Sequence, residues 1–106
     1  MRDYAAKAIA MARGYSRSAL DTDEKLRYAL TYLVQLVGEA AGQTPLEIQE
    51  MFPEIPWRQA IGMRHRLIHG YDAVDLDILW DAISHNLPLL LEILERIFAE
   101  NGKKPD

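Results

Sequence analysis

Residues 76–100 read LDILWDAISHNLPLLLEILERIFAE, and this stretch carries the clearest structural signal in the chain. Its apolar residues recur every three or four positions, which is the spacing of one face of an α-helix. Asp75, directly before the stretch, belongs to a residue type that commonly caps a helix N-terminus. The pattern therefore predicts a long helix over residues 76–100. Its predicted core residues are Leu76, Leu79, Trp80, Ile83, Leu87, Leu90, Leu94 and Ile97.

Pro88 interrupts the backbone of this predicted helix but not its apolar spacing. A proline has no N–H to donate, and its ring crowds the carbonyl group four residues earlier. Because the apolar spacing resumes beyond Pro88, we expect a kink in the helix rather than its end.

Helical spacing also extends upstream, and no strand is predicted anywhere in the chain. A first helix is predicted over residues 3–15, with Tyr15 on its apolar stripe. A second is predicted to begin near Asp21 or Thr22, either of which could cap it, and to stop near Gly42. Thr44 followed by a proline predicts the cap of a short helix that reaches residue 51.

A further helix is predicted to begin near Pro56 and to end near Gly70. With short connections between neighbours, these elements predict an all-α, antiparallel bundle of four to five helices with a kinked C-terminal helix. The length of 106 residues leaves room for one domain, which we expect to span residues 1–106, with residues 101–106 as a frayed tail.

Composition restricts the cellular setting. The chain contains no cysteine, which excludes disulfides and thiolate metal sites and suits a reducing cytoplasm. The N-terminus lacks the apolar stretch of a signal peptide, and no apolar run is long enough to cross a bilayer. We therefore predict a cytoplasmic protein with no membrane partner.

The charge distribution points to a local anion site. The formal net charge is −4, which argues against a broad nucleic-acid surface. Residues 57–71 nevertheless contain three arginines, two histidines and no acid, whereas residues 72–106 hold eight acids against three bases. An acid-free basic stretch in an acidic chain predicts binding of an anion at that stretch.

Arg64 stands out on a helical wheel of residues 57–69, because it falls at the centre of the apolar arc. Arginine does not lose its charge, so a buried guanidinium needs a carboxylate, several carbonyl groups or a bound phosphate. Glu39 is the best candidate for a partner within the chain. The apolar arc contains Trp57, Ala60, Ile61, Met63, Leu67 and Ile68, and the opposite arc contains Arg58, Gln59, His65, Arg66 and His69.

His65 and His69 are four residues apart and are therefore predicted to share one helix face. Helical zinc sites use the same spacing, but no third ligand is evident, and we expect neither a metal nor a cofactor. Alternatively, His69 only binds carbonyl groups at the helix end, where the helix dipole favours a cation. An arginine in the apolar arc and Tyr71 nearby favour a functional role.

These residue types suit the cleavage of RNA without a metal. The reaction needs a base for the 2′-hydroxyl proton, an acid for the leaving oxygen and a cation for the phosphate. Histidine can transfer protons in both directions near neutral pH, and arginine offers a planar, permanently charged fork for phosphate oxygens. One segment holds few proton-transfer groups, so a two-fold dimer that joins two segments is expected.

The pattern Arg64-x-x-x-x-His69-x-Tyr71 resembles the R-x-x-x-x-H-x-Y signature of the HEPN superfamily in its HepT-like branch. Other stretches resemble that branch in the same order and spacing, so the resemblance covers nearly the whole chain. They are GEA at 38–40, PEIPW at 53–57, GMR at 62–64, LIHGY at 67–71, VD at 74–75 and NLP at 86–88.

The resemblance implies a dimeric helical bundle that is the ribonuclease toxin of a type II-like or type VII toxin–antitoxin system. In that case Arg64 holds the phosphate and His69 is the general acid–base, with His65, Glu39 and Arg66 in support. The implied antitoxin is a minimal nucleotidyltransferase that transfers AMP onto the motif tyrosine, here Tyr71.

One position departs from the family pattern, because His65 stands where this branch usually has asparagine. Two other interpretations remain open. The chain could be a regulatory HEPN module that binds nucleotide or a partner without cleaving RNA, or a structural helical protein in which Tyr71 only packs against a helix end. Trp57 and Trp80 are predicted to belong to the core in every case.

Overall fold

The computed structural model describes residues 1–69 and 73–101, with the backbone alone at Ile68, His69, Ala73 and Asn101. The predicted all-α bundle is confirmed. A π-helical turn, Ala82–Asn86, joins the last two α-helices into one continuous helix. The α-helices are α1 (Arg2–Ala12), α2 (Ala19–Thr22), α3 (Glu24–Gln43), α4 (Leu46–Met51), α5 (Trp57–Leu67), α6 (Leu76–Asp81) and α7 (Leu87–Asn101).

Helix α3 is the central element, and it packs against α1 on one side and α5 on the other. Its cap is Asp23, whose carboxylate accepts a hydrogen bond from the backbone N–H of Leu26 at 3.0 Å. The predicted caps Asp21 and Thr22 belong instead to α2, a single turn that the apolar spacing did not separate from α3. The buried side of α3 contains Leu26, Leu30, Val34, Val37 and Ala41.

Helix α1 is shorter than predicted. It ends at Ala12, and Gly14 adopts a φ of 86°, a left-handed conformation that favours glycine and turns the chain away. The buried residues of α1 are alanines, whose small side chains let α1 lie close to its neighbours, whereas the predicted core residue Tyr15 is 49% exposed.

The C-terminal helix follows the prediction closely. The Asp75 carboxylate accepts hydrogen bonds from the backbone N–H groups of Asp77 at 3.1 Å and Ile78 at 3.0 Å, so it caps α6. The π-helical turn ends at Asn86, two residues before Pro88, and it widens the helix where proline removes a donor and crowds the preceding turn. The buried predicted residues are Leu79, Ile83, Leu87, Leu90, Leu94 and Ile97, with Leu76 and Trp80 half-buried.

The end of α5 differs from the prediction. The helix stops at Leu67, and two short strands follow, β1 (Ile68–His69) and β2 (Ala73–Val74), paired antiparallel. The backbone N–H of Asp75 donates to the Leu67 carbonyl at 2.8 Å, so the returning chain takes an acceptor at the helix end. A two-residue strand is too short to show an alternating pattern, which is why the sequence did not reveal it.

Arg17 ties the segment before α2 to the start of α6. Its Nε donates to the Asp77 carboxylate at 2.8 Å and its Nη1 donates to Asp21 at 3.2 Å. The hydrogen bond to Asp77, followed by that to Asp21, raises the pKa of Arg17 above its usual value. Among the described helices, none is long and apolar enough to cross a membrane.

Candidate active site

The close packing of α3 on α5 positions the candidate site. A Cβ atom built at Gly38 would lie 3.0 Å from the carbonyl oxygen of Ala60 and 3.9 Å from the Cβ of Arg64. A side chain at position 38 would therefore press against the backbone of α5. The GEA stretch thus has a packing role that the sequence did not reveal, because the contact joins residues distant in the chain.

Arg64 is exposed, so the prediction that it lies buried in an apolar arc is wrong. The buried residues of α5 are Ala60, Met63 and Leu67, and the centre of this stripe lies roughly 70° around the helix from Arg64. Arg64 therefore lies at the edge of the core face, beside α3 and open to solvent.

Glu39 does not pair with Arg64, and this predicted contact is also wrong. Within the part of the chain that the structure describes, the ion pairs do not join these two side chains. Glu39 is exposed and accepts a hydrogen bond from Gln43 at 3.4 Å, and it lines a cleft of about 100 Å³ that also contains Tyr4. Since Glu39 is one residue beyond Gly38, it lies roughly 100° around α3 from the α5 contact.

The last turn of α5 carries a cluster of exposed basic side chains. Arg64, His65 and Arg66 occupy it, at a helix C-terminus whose dipole favours cations. No carboxylate among the described residues forms an ion pair with Arg64 or Arg66. Their guanidinium groups are therefore available to an anionic ligand.

His69 lies outside α5. Its backbone belongs to β1 and pairs with Ala73, so the predicted helical face shared by His65 and His69 is wrong. The early end of α5 is the cause, because a spacing of four residues aligns side chains only within a helix. Gly70 and Tyr71 lie outside the described residues. Residues 1–69 and 73–101 contain no group of three or more side chains able to hold a metal ion.

Trp57 has a structural role, as the sequence predicted. It packs against the core, and its Nε1–H donates to the Phe52 carbonyl at 3.0 Å, which fixes the segment that enters α5. Trp80 also packs against the core. Both indoles are half-buried and contribute to the packing of the core, as the sequence predicted.

Residues 1–97, which include Arg64, His69 and Tyr71, match the family model described as ribonuclease HepT-like. The chain belongs to the HepT-like ribonuclease family. It is 35% identical to the probable ribonuclease HepT of Thermococcus cleftensis over 75 residues, which is 71% of this chain and 68% of the relative.

Two further relatives of this HepT-like chain carry names of predicted RNases. One, from Methanocaldococcus jannaschii, is 30% identical over 82 residues, or 77% of this chain and 71% of the relative. Another, from Caldanaerobacter subterraneus subsp. tengcongensis, is 32% identical over 89 residues, or 84% of this chain and 80% of the relative. No solved structure gives a significant match.

Proposed function

We propose that this chain is a metal-independent endoribonuclease and the toxin of a toxin–antitoxin pair. Membership of the HepT-like ribonuclease family carries the proposal, and the exposed bases at the end of α5 supply the chemistry it needs. Arg64 is exposed beside a close helix contact and forms no ion pair with a described carboxylate, so an RNA phosphate can reach it without breaking such a pair.

In the proposed reaction, Arg64 binds the non-bridging oxygens of the scissile phosphate and stabilises the charge that develops on them. His69 removes the proton from the 2′-hydroxyl group, whose oxygen then forms a bond to phosphorus. The bond from phosphorus to the 5′-oxygen breaks, and that oxygen receives a proton. A histidine can accept the first proton and donate the second. Arg66 adds positive charge next to Arg64, and His65 adds an imidazole on the same exposed turn.

The proposed active form is a homodimer. One copy of the segment has two histidines for two proton transfers, and a second copy across a two-fold axis doubles that supply. Half-buried Ile61 and Trp57 precede Arg64 on α5, so an apolar edge lies beside the proposed phosphate site. Light scattering at micromolar concentration should give a dimer, and a fully active monomer would contradict this assembly.

The proposed antitoxin is a minimal nucleotidyltransferase that modifies Tyr71. AMP attached to the Tyr71 hydroxyl brings at least one negative phosphate two residues from His69 in the chain. That charge would pair with the arginine that the RNA phosphate needs, by the same electrostatics as a phosphorylation switch. Inhibition would then persist after the antitoxin dissociates.

Sequencing of RNA ends after induction of this chain alone tests the proposal in cells. Induction should slow growth and create new RNA ends at defined positions, and His69→Ala should abolish both effects. Arg58→Ala is the matched control, because Arg58 is an exposed arginine on the same helix outside the motif. Growth arrest without new RNA ends would instead support a module that binds a partner without cutting RNA.

A further inference from the structure

A shallow apolar groove of about 560 Å³ lies between α1 and α3, and its lining includes none of the basic residues of α5. Tyr32 and Met11 line it, and their side chains are 62% and 41% exposed. We call this surface the tyrosine groove. Its lining consists of Lys7, Ala10, Met11, Ala29, Tyr32 and Leu33.

A second exposed tyrosine extends the groove. Tyr28 is 59% exposed and precedes Tyr32 by one helical turn, or roughly 6 Å along the axis of α3. The guanidinium of Arg27 lies 5.4 Å from the ring centroid of Tyr28 and holds that ring in place on one side. Two exposed rings one turn apart suit flat, stacking ligands, because nucleobases stack on aromatic side chains in single-stranded nucleic acid complexes.

The charges around the tyrosine groove favour a polyanion. Lys7 lines it, and Lys25 lies one turn before Ala29 on the same side of α3. Neither lysine forms an ion pair with a carboxylate of the described residues. Among the nearby acids, Glu24 lies 3.6 Å and Asp3 3.9 Å from an arginine nitrogen. Glu39 lies on the same exposed face of α3 and accepts a hydrogen bond from Gln43. Two lysines without a carboxylate partner among the described residues therefore lie beside the exposed aromatic rings.

Helix α3 connects the tyrosine groove to Arg64. Tyr32 precedes Gly38 by six residues, or roughly 9 Å along the axis, and Gly38 lies against α5 next to Arg64. Since α1 and α5 pack on different sides of α3, the two tyrosines occupy the exposed ridge between them. We propose that the tyrosine groove binds bases of single-stranded RNA a few nucleotides from the phosphate held by Arg64. This inference rests on the proposed function for its substrate.

Binding measured without cleavage tests this inference. The probe is a fluorescein-labelled single-stranded RNA of about 16 nucleotides, the upper end of known site sizes, added to the His69→Ala chain. Adding Tyr32→Ala should weaken binding about tenfold, whereas Tyr32→Phe should retain it, since phenylalanine also stacks. Adding Lys7→Ala should lower the dependence of log Kd on log salt by about one phosphate contact. Tyr15→Ala is the matched control, because Tyr15 is exposed outside the groove.

The outcomes separate this inference from the proposed function. If the wild-type chain cleaves RNA but Tyr32→Ala and Tyr28→Ala bind the probe as tightly as Tyr15→Ala, the groove is not an RNA site and the ribonuclease stands. If the probe binds in a tyrosine-dependent way but no RNA is cut, the groove stands and catalysis does not. A change from dimer to monomer in Tyr32→Ala, seen by light scattering, would assign the surface to a second copy and overturn the inference.

Discussion

Gly38 of α3 touches α5 so closely that an added Cβ atom would lie 3.0 Å from the carbonyl oxygen of Ala60. Alanine usually improves a helix over glycine, by up to about 1 kcal/mol. Here the obstacle is a backbone atom that cannot rotate away, so the helices would have to separate. We expect Gly38→Ala to lower the free energy of unfolding by about 1–2 kcal/mol and to weaken cleavage by moving Arg64.

Gly42→Ala is the control for this prediction. Gly42 also lies in α3, but an added Cβ would meet no atom within 4 Å. The substitution should therefore raise stability by about 0.5–1 kcal/mol, as the helix preference of alanine dictates. Urea unfolding of both variants gives the comparison. Equal stabilisation by the two substitutions would mean that the α3–α5 contact is loose.

Asp75 should matter through its side chain, because it caps α6 just after the strand pair. Asp75→Ala should lower the free energy of unfolding by at least about 1 kcal/mol, because it removes the helix cap. Asp81→Ala is the control. It removes only the exposed pair with His85, which is worth little. Chemical denaturation that gives the same loss for Asp75→Ala and Asp81→Ala would contradict the capping role.

Truncation of the two leucines beside Pro88 should change stability by very different amounts. Leu87 is fully buried, and Leu87→Ala should cost about 2–5 kcal/mol through lost contacts and a new cavity. Leu89 is 56% exposed, and Leu89→Ala should change stability by no more than about 0.5 kcal/mol. Thermal unfolding distinguishes them. Similar losses at both positions would mean that α7 is rotated about its axis and buries a different face.

Apolar periodicity predicts the long C-terminal helix well and the end of α5 poorly. Apolar spacing predicted the C-terminal helix, the residue type of Asp75 predicted its cap, and Pro88 predicted an irregular turn. Each of these features depends on residues close together in the chain. The end of α5 depends on a two-residue strand pairing with a returning segment. The sequence analysis counted Trp57, Ile61 and Ile68 with the buried face of α5, and this placed Arg64 at its apparent centre. The buried residues are Ala60, Met63 and Leu67, and Trp57 and Ile61 are only half-buried.

The packing of α3 also explains the wrong assignment of Glu39. A glycine next to an acid on a helix suggested an internal partner for Arg64, but the contact surface is Gly38 itself. The neighbouring Glu39 is directed to another side of the helix, where it accepts a hydrogen bond from Gln43. Whether Gly38 or Glu39 faces α5 depends on the rotation of α3 about its axis, which the sequence alone does not give.

Control through Tyr71 can be tested by intact-mass spectrometry. After co-expression with a cognate nucleotidyltransferase, the wild-type chain should gain mass in units of AMP, and Tyr71→Phe should not. Tyr71→Phe should remain toxic and escape neutralisation, because it lacks the hydroxyl that accepts the nucleotide. A mass gain that persists in Tyr71→Phe would place the modification elsewhere, and neutralisation with no mass gain would mean that the antitoxin acts by binding.

Single-turnover cleavage of labelled RNA by the purified chain, in the presence of a metal chelator, tests whether Arg64 and His69 catalyse the reaction without a metal. The wild-type chain and Arg58→Ala should cleave at similar rates. Arg64→Ala and His69→Ala should each be slower by two to four orders of magnitude, which corresponds to about 3–5 kcal/mol of transition-state stabilisation. Because Arg64 is exposed, Arg64→Ala should keep its helical circular dichroism. Cleavage that needs added metal, or that continues at the wild-type rate in folded Arg64→Ala, would contradict the proposed mechanism.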